Sequence, residues 1–351
     1  MKHRLFSKTA IGLVLAGATA FAANTATAGA MNSIADSWHN LGANNSKGGT
    51  PNSPTSGSPN KSMATGEICV FCHTPHGGDT SAAVPIWNRK LNDPSVYQRY
   101  SANGTSTFDA AEGPIGSVTI ACLSCHDGAQ AVDALINAPG SGNYTSYLST
   151  QFGSPNYYSW TNGTRFSGGD ATDGKLSADI VQNLGTDLRN DHPVSMQYAG
   201  GGITGSGSTI NGNPRDPDFT TQTPRTITKA DGSTYTVQLL AESSPNVGTI
   251  FYIDRGTESA QSASRDRKDI IFYTRDFAPP TTSIDNKAGI QPFVECGSCH
   301  DPHNVENPTF LRVSNGIPAT KGSNGTVTLA DMFPKAVNDA ASGLCLTCHA
   351  K

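Results

Sequence analysis

The sequence predicts a loop-rich fold with short helices and a few short strands. Its 351 residues include 37 glycines and 21 prolines, and few long stretches show the hydrophobic period of a helix or a strand. All eight cysteines belong to four copies of the pattern Cys-x-x-Cys-His. A chain of this kind depends on the groups attached at those four motifs.

Each motif is a c-type haem attachment site. Its two sulfurs lie three residues apart on one helical turn, so both can bond a haem vinyl group while the adjacent imidazole reaches the iron. Zinc sites or disulfides would use the same cysteines, but neither requires a histidine after every second cysteine. The motifs, numbered 1 to 4 with their haems, are Cys69-Val70-Phe71-Cys72-His73, Cys122-Leu123-Ser124-Cys125-His126, Cys296-Gly297-Ser298-Cys299-His300 and Cys345-Leu346-Thr347-Cys348-His349.

The sequence therefore predicts a multihaem cytochrome with four covalently attached haem c groups. Short helices carry the motifs, and the porphyrins form most of the hydrophobic core. His73, His126, His300 and His349 are the predicted proximal iron ligands.

Four spare histidines provide one further ligand per iron: His39, His76, His192 and His303. Methionine is the competing sixth ligand, and it would raise the potential. The candidates are Met31, Met63, Met196 and Met332. Two histidines on every iron leave no position open for a substrate, so we expect outer-sphere electron transfer rather than enzymatic catalysis.

Two spare histidines lie in the pattern Cys-His-x-Pro-His, three residues after a proximal histidine. Such a pair spans at most roughly 10 Å of backbone, too little to reach around a haem plane. His76 and His303 must therefore cap irons other than those of their own motifs. The simplest pairing puts His76 on haem 2 and His303 on haem 4, which leaves His39 and His192 for haems 1 and 3 in either order.

Residues 1–30 read as a secretory signal peptide, with Lys2, Arg4 and Lys8 before an apolar run at 11–18. That run is too short to span a membrane. The predicted location is extracellular or on the cell surface, with the periplasm as the alternative. Loss of the three basic residues takes the formal net charge from −4 to −7, which makes nucleic acid a poor partner.

The rest of the chain divides into four predicted segments. Residues 31–67 form a Gly/Ser-rich arm that carries His39, and 68–137 hold the first haem pair, with a helix at 129–137. Residues 138–293 are a loop and short-strand insertion that carries His192, and 294–351 hold the second haem pair.

Inside the insertion, the pattern predicts a hairpin over 226–239 that turns at Asp231-Gly232. Further strands are predicted at 249–253 and 269–274, and a loop at the Gly-rich 199–208.

Four features of the sequence are shared with a known family: the Cys-x-x-Cys-His motifs, the two Cys-His-x-Pro-His variants, the segment Asn-Asp-His-Pro-Val-Ser at 190–195 and the N-terminal Trp38-His39. In these features the chain resembles the OmcE-type outer-surface tetrahaem cytochromes of metal-reducing bacteria. That resemblance implies polymerisation into extracellular nanowire filaments that pass electrons to other redox proteins, metal oxides or electrodes. The arm is long enough for His39 to cap an iron, most plausibly that of haem 3, in the next subunit of a head-to-tail homopolymer. The alternatives are a monomeric periplasmic electron shuttle and a multihaem reductase with an open iron.

Overall fold

The computed structural model of the protein describes residues 34–37, 39–41, 67–100, 110–130, 135–137, 175–176, 178, 182–191, 194–228, 234–245, 248–256, 265–276, 289–303, 310–313 and 343–350. The predicted signal peptide, most of the arm and His192 lie outside these residues.

Six strands form one antiparallel sheet in the order β1-β8-β7-β6-β5-β4. Two more strands, β2 and β3, pair with each other as a separate hairpin. The bounds are β1 Met196–Gln197, β2 Thr204–Ser206, β3 Thr209–Asn211, β4 Arg225–Thr228, β5 Thr234–Ser244, β6 Gly248–Asp254, β7 Ile270–Asp276 and β8 Ile290–Val294.

Buried and more exposed side chains alternate along β5, as expected for a β-strand. In β5, Tyr235, Val237 and Leu239 are buried while the residues between them are more exposed, as expected for a strand with one face on a core. The strands of the predicted hairpin are confirmed, since β4 and β5 pair antiparallel, although the turn itself lies outside the described residues. The predictions at 249–253 and 269–274 are confirmed by β6 and β7.

Two hydrophobic cores of side chains are present in the described residues. The sheet core consists of Tyr198, Ala199, Ile203, Ile227, Tyr235, Val237, Leu239, Phe251, Ile253, Ile270, Phe272 and Val313. The motif core consists of Ala82, Trp87, Tyr97, Ile115, Ile120, Ala121, Leu123 and Leu188. The sequence prediction, which assigned most of the core to porphyrin, did not include either of them.

Helical structure is confined to short segments. The α-helices are α1 Ser117–His126, α2 Cys296–Cys299 and α3 Gly343–Cys348, and 3₁₀ turns lie at Ile34–Asp36, Cys69–Phe71, Pro94–Val96 and Tyr198–Gly200. The helix predicted at 129–137 is wrong at its described positions, where Leu135 pairs with Arg89 in an isolated antiparallel bridge. Gly128, with φ of 66°, ends the preceding helix and turns the chain away.

The Gly-rich stretch 199–208 is not entirely loop, because β2 lies within it. Gly205 packs so closely on the ring of Phe251 that a Cβ would overlap it. Gly207 supplies the positive φ, 63°, of the turn between β2 and β3. Glycine here permits close packing and a tight turn as well as a loop.

A pH dependence of stability follows from Asp269, which is buried directly before β7. Burial raises the pKa of its carboxyl from 3.8 to about 6, although the N–H groups of Asp266 and Arg255 donate to it and act in the opposite direction. Its contribution to stability is therefore full below the ordinary pKa and is lost as the pH rises through about 6.

We expect Asp269→Asn, which carries no charge at either pH, to flatten this dependence. Between pH 4 and pH 7 the wild type should lose on the order of 1 kcal/mol of unfolding free energy that the variant keeps. Urea unfolding at both pH values measures the difference. Equal losses in the two proteins would contradict the assignment.

Candidate haem sites

All four Cys-x-x-Cys-His motifs form helical turns, as the sequence predicts. Motif 1 begins with the 3₁₀ turn Cys69–Phe71, motif 2 ends α1, motif 3 forms α2 and motif 4 lies in α3. The N–H groups of His73, His300 and His349 donate to the carbonyl of the first cysteine of their motifs, at 2.7, 2.9 and 2.8 Å. The eight cysteines are free thiols.

In two proximal imidazoles, Nδ1 lies within hydrogen-bond distance of a backbone carbonyl oxygen, while Nε2 is not part of that contact. Nδ1 of His73 lies 2.9 Å from the carbonyl oxygen of Pro85, and Nδ1 of His126 lies 2.8 Å from that of Gln182. A donor at Nδ1 leaves Nε2 as the metal ligand, and such a bond is the usual partner of a metal-bound histidine. Burial lowers the pKa of His126, which favours the neutral form that binds metal.

Two spare histidines lie opposite these two proximal ones. The ring centroids of His303 and His73 are 6.2 Å apart, with ring planes 19° apart. Those of His39 and His126 are 6.1 Å apart, with planes 62° apart. Two metal–nitrogen bonds of about 2 Å, plus about 1 Å from each nitrogen to its ring centre, require a separation of about 6 Å. The ring separations of both pairs match that value.

His39 is fixed in this position by its surroundings. Its ring stacks on Phe310 at 4.4 Å, and its carbonyl accepts the N–H of Leu41. Burial, followed by the neighbouring imidazoles of His126, His303 and His300, lowers the pKa of His39 to about 3. The ring is therefore neutral, as a haem ligand must be.

The spare histidine of the other pair, His303, lies beside a carboxylate. Its Nδ1 lies 3.5 Å from Oδ1 of Asp301, whose other oxygen is 3.5 Å from the guanidinium of Arg312. A carboxylate behind a metal-binding histidine orients its ring.

This arrangement differs from the pairing predicted above. The structure places the ring of His303 near that of His73 in motif 1, and the ring of His39 near that of His126 in motif 2 and close to His300 of motif 3, whereas the sequence paired His303 with haem 4 and His39 with haem 1 or 3. The prediction considered only motifs adjacent in sequence, whereas the packing of separate elements decides which imidazoles meet.

The other predicted ligands make contacts of different kinds. His76 is exposed, and its carbonyl accepts a bond from the side chain of Asn137 at 2.8 Å. His300 pairs with Leu311 in an isolated bridge, and the ring of His349 lies 4.3 Å from that of Phe219. Met196 lies in β1, and the remaining methionine candidates lie outside the described residues.

Motifs 2 and 3 are in direct contact. The thiol of Cys122 donates to the sulfur of Cys296, which, with burial, raises the pKa of Cys122. Gly297 makes this packing possible, because a Cβ there would overlap Tyr273 of β7 and crowd Val118 of α1.

The remaining motifs also have neighbouring cysteines. Burial and nearby Cys125 of motif 2 raise the pKa of Cys72 to about 12. Burial, Cys296 and Cys345 of motif 4 raise the pKa of Cys299 to about 11. Cysteines of motifs 1 and 2, of motifs 2 and 3, and of motifs 3 and 4 are thus close enough to shift one another's pKa.

A buried polar group that the sequence did not reveal lies at the junction of motifs 2 and 3. Glu295 directly precedes Cys296 and accepts a hydrogen bond from Oγ1 of Thr119, which in turn accepts the N–H of Cys296. Arg275 of β7 pairs with the same carboxylate. No local pattern predicts a contact between residues 176 positions apart.

No family model matches this chain, and a comparison with curated proteins finds no match either. Among the described helices, none is long and apolar enough to cross a membrane. Within the same residues there is no group of three or more His, Cys, Asp or Glu side chains placed to hold a metal ion.

The pairing of His303 with His73 can be tested by substitution. His303→Ala should convert one of four haems to a high-spin or water-ligated state and leave the other three unchanged, because only one iron loses its second imidazole. Electron paramagnetic resonance and visible spectra of the ferric protein measure the high-spin fraction.

A second variant identifies which haem is affected. When Cys69→Ala and Cys72→Ala are added to remove haem 1, the high-spin signal of His303→Ala should disappear with that haem. Persistence of the signal beside three remaining haems would show that His303 caps a different iron.

Proposed function

We propose that the protein is a tetrahaem c-type cytochrome that transfers electrons. The observation that supports this most directly is the spacing of two imidazole pairs, 6.1 and 6.2 Å between centroids, each with one member in a Cys-x-x-Cys-His turn. Neither the motif nor the count of histidines requires that separation.

The bound haems would supply one-electron redox chemistry at iron. The cysteines would attach the porphyrin, and the proximal histidine and a second histidine would both bind its iron. An iron with both axial positions filled by protein has no site for substrate, so we propose no enzymatic activity. Because burial lowers the pKa of His39 to about 3, its imidazole is neutral at physiological pH.

The remaining ligands follow by elimination. With His303 on haem 1 and His39 on haem 2, His76 and His192 remain for the irons held by His300 and His349. This assignment keeps two histidines on every iron without using a methionine. Adjacent cysteines from motif 1 to motif 4 support a continuous path for electrons through haems 1, 2, 3 and 4.

At the finer level we propose export and assembly into an extracellular filament, as the resemblance implies. Charged residues are 15% of the chain, against about 25% in average proteins, which favours a surface that packs against copies of itself. The proposed partners are further copies of the chain, other redox proteins, and metal oxides or electrodes.

Intact mass spectrometry of the protein purified from its natural host tests the haem proposal. The mass should equal that of the processed chain plus four haems, and acid acetone should not extract them, because thioether bonds are covalent. A disulfide between Cys122 and Cys296, the chief competing use of these neighbouring sulfurs, would block full attachment at motifs 2 and 3 and lower the count. Fewer than four haems would contradict the proposal.

Negative-stain microscopy of the same sample tests assembly. Filaments are expected, and their haems should be wholly low-spin. Uniform monomers with four low-spin haems would instead favour the periplasmic shuttle, while high-spin ferric haem would favour the reductase.

A further inference from the structure

Three short segments pair with three of the haem motifs in the same way. They are 86–88 at motif 1, 310–312 at motif 3 and 218–220 at motif 4, and each is called a clasp below. The middle residue of each clasp forms an isolated antiparallel bridge with the proximal histidine; the pairs are Trp87 with His73, Leu311 with His300 and Phe219 with His349.

The backbone bonds on either side of that bridge repeat as well. The first clasp residue accepts the N–H of the residue after the histidine; these bonds are Thr74 to Ile86 at 2.9 Å, Asp301 to Phe310 at 2.8 Å and Ala350 to Asp218 at 2.6 Å. The third clasp residue donates its N–H to the carbonyl of the second cysteine; these bonds are Asn88 to Cys72, Arg312 to Cys299 and Thr220 to Cys348, each at 2.8 Å.

The third clasp residue also donates from its side chain to a carbonyl inside the motif. These bonds run from Nδ2 of Asn88 to Val70 at 2.8 Å, from Nε of Arg312 to Gly297 at 2.9 Å and from Oγ1 of Thr220 to Thr347 at 2.7 Å. All three side chains are buried. An amide, a guanidinium and a hydroxyl thus make the same kind of contact.

The repeat has a physical reason. The last four carbonyls of a helix have no hydrogen-bond donor within the helix. In a motif of one helical turn, nearly every carbonyl is of this kind. A buried carbonyl without a donor costs about 1–3 kcal/mol, so each motif needs donors from elsewhere in the chain. At motif 2, which ends a longer helix, Arg89 donates to the carbonyl of Ser124 at 2.7 Å and Leu184 to that of His126 at 2.7 Å.

Two clasps also share an unusual backbone conformation. Ile86 and Phe310, the first clasp residues at motifs 1 and 3, have φ of 49° and 61°, in the left-handed region that β-branched and bulky residues rarely adopt. This conformation costs free energy, so the surrounding contacts must enforce it. The three clasp sequences, Ile-Trp-Asn, Phe-Leu-Arg and Asp-Phe-Thr, share no residue at any position.

We propose that the third clasp residue is a positioning residue for the proximal imidazole, so that Asn88, Arg312 and Thr220 set the iron–imidazole geometry of haems 1, 3 and 4. This inference rests on the proposed haem function. Each of these side chains fixes the turn between the two cysteines while its backbone N–H fixes the residue next to the histidine. Loosening the side-chain bond lets the histidine and its haem shift relative to each other.

Thr220 offers the cleanest test. Thr220→Val keeps the shape and the backbone N–H but removes the hydroxyl, which donates to the carbonyl of Thr347 and accepts a bond from Arg225 at 2.9 Å. It should shift the midpoint potential or the low-spin spectral signature of one haem in four, that of His349, and Thr220→Ser should restore both. The matched control is Thr221→Val, because the Thr221 hydroxyl accepts the N–H of Thr223 at 3.1 Å and lies outside the clasp.

Potentiometric titration and ferric electron paramagnetic resonance give the readout, and intact mass confirms four haems in every variant. A Thr220→Val spectrum and potentials equal to those of Thr221→Val would overturn the inference. So would an equal change in all four haems together with a lower melting temperature, which would indicate general destabilisation.

A second site keeps the test independent of how Thr220→Val folds. Asn88→Asp is nearly isosteric but replaces the amide donor with an acceptor, so it should change haem 1 alone, while the exposed neighbour Lys90→Gln should change none. A wild type with fewer than four haems would refute the proposed function. A wild type with four haems and clasp variants without effect would refute only the clasp.

Discussion

The buried carboxylate of Glu295 is the contact on which the arrangement of motifs 2 and 3 depends. It caps α2 through Ser298 and accepts bonds from Oγ1 of Thr119 at 2.6 Å and Oγ of Ser195 at 3.1 Å, and it pairs with Arg275 of the sheet. Burial raises the pKa of Glu295 and the charge of Arg275 lowers it. A buried carboxylate is costly unless it is fully paired, so donors from α1, the segment before β1 and β7 must all be in place together. Glu295 thereby fixes two haem motifs and the sheet in one geometry.

The motifs are accordingly held by protein as well as by the groups they attach. A helix of four to six residues is unstable alone, and tertiary contacts must supply its stability. Leu344 and Leu346 of α3 pack on the sheet core, while Leu123 of α1 is fully buried in the motif core. The six-stranded sheet therefore acts as a platform for motif 4 directly and for motifs 2 and 3 through Arg275.

Features that depend on short sequence spacing could be predicted, and those that depend on long-range packing could not. The helical turns of the motifs and strands β5, β6 and β7 follow from local patterns. β1 and β8 are short, and β8 contains Pro292, so only their pairing with each other and with β7 reveals them as strands. The span of Cys-His-x-Pro-His excludes a histidine from its own iron but does not select another. His39 lies in a segment whose composition favours no structure, and its place is decided by Phe310 and His126.

The pairing of His303 with His73 links the haem sites to one another. His300 and His303 belong to one short segment, and Pro302 between them restricts its backbone. That segment would serve the iron of haem 3 with its first histidine and the iron of haem 1 with its second. Arg312 bears on both, because it donates to Gly297 inside motif 3 and lies 3.5 Å from Asp301, the carboxylate behind His303. A displacement of motif 3 therefore moves a ligand of haem 1 as well. If haems bind at these motifs as proposed, the sites of motifs 1 and 3 would form together because they share this segment.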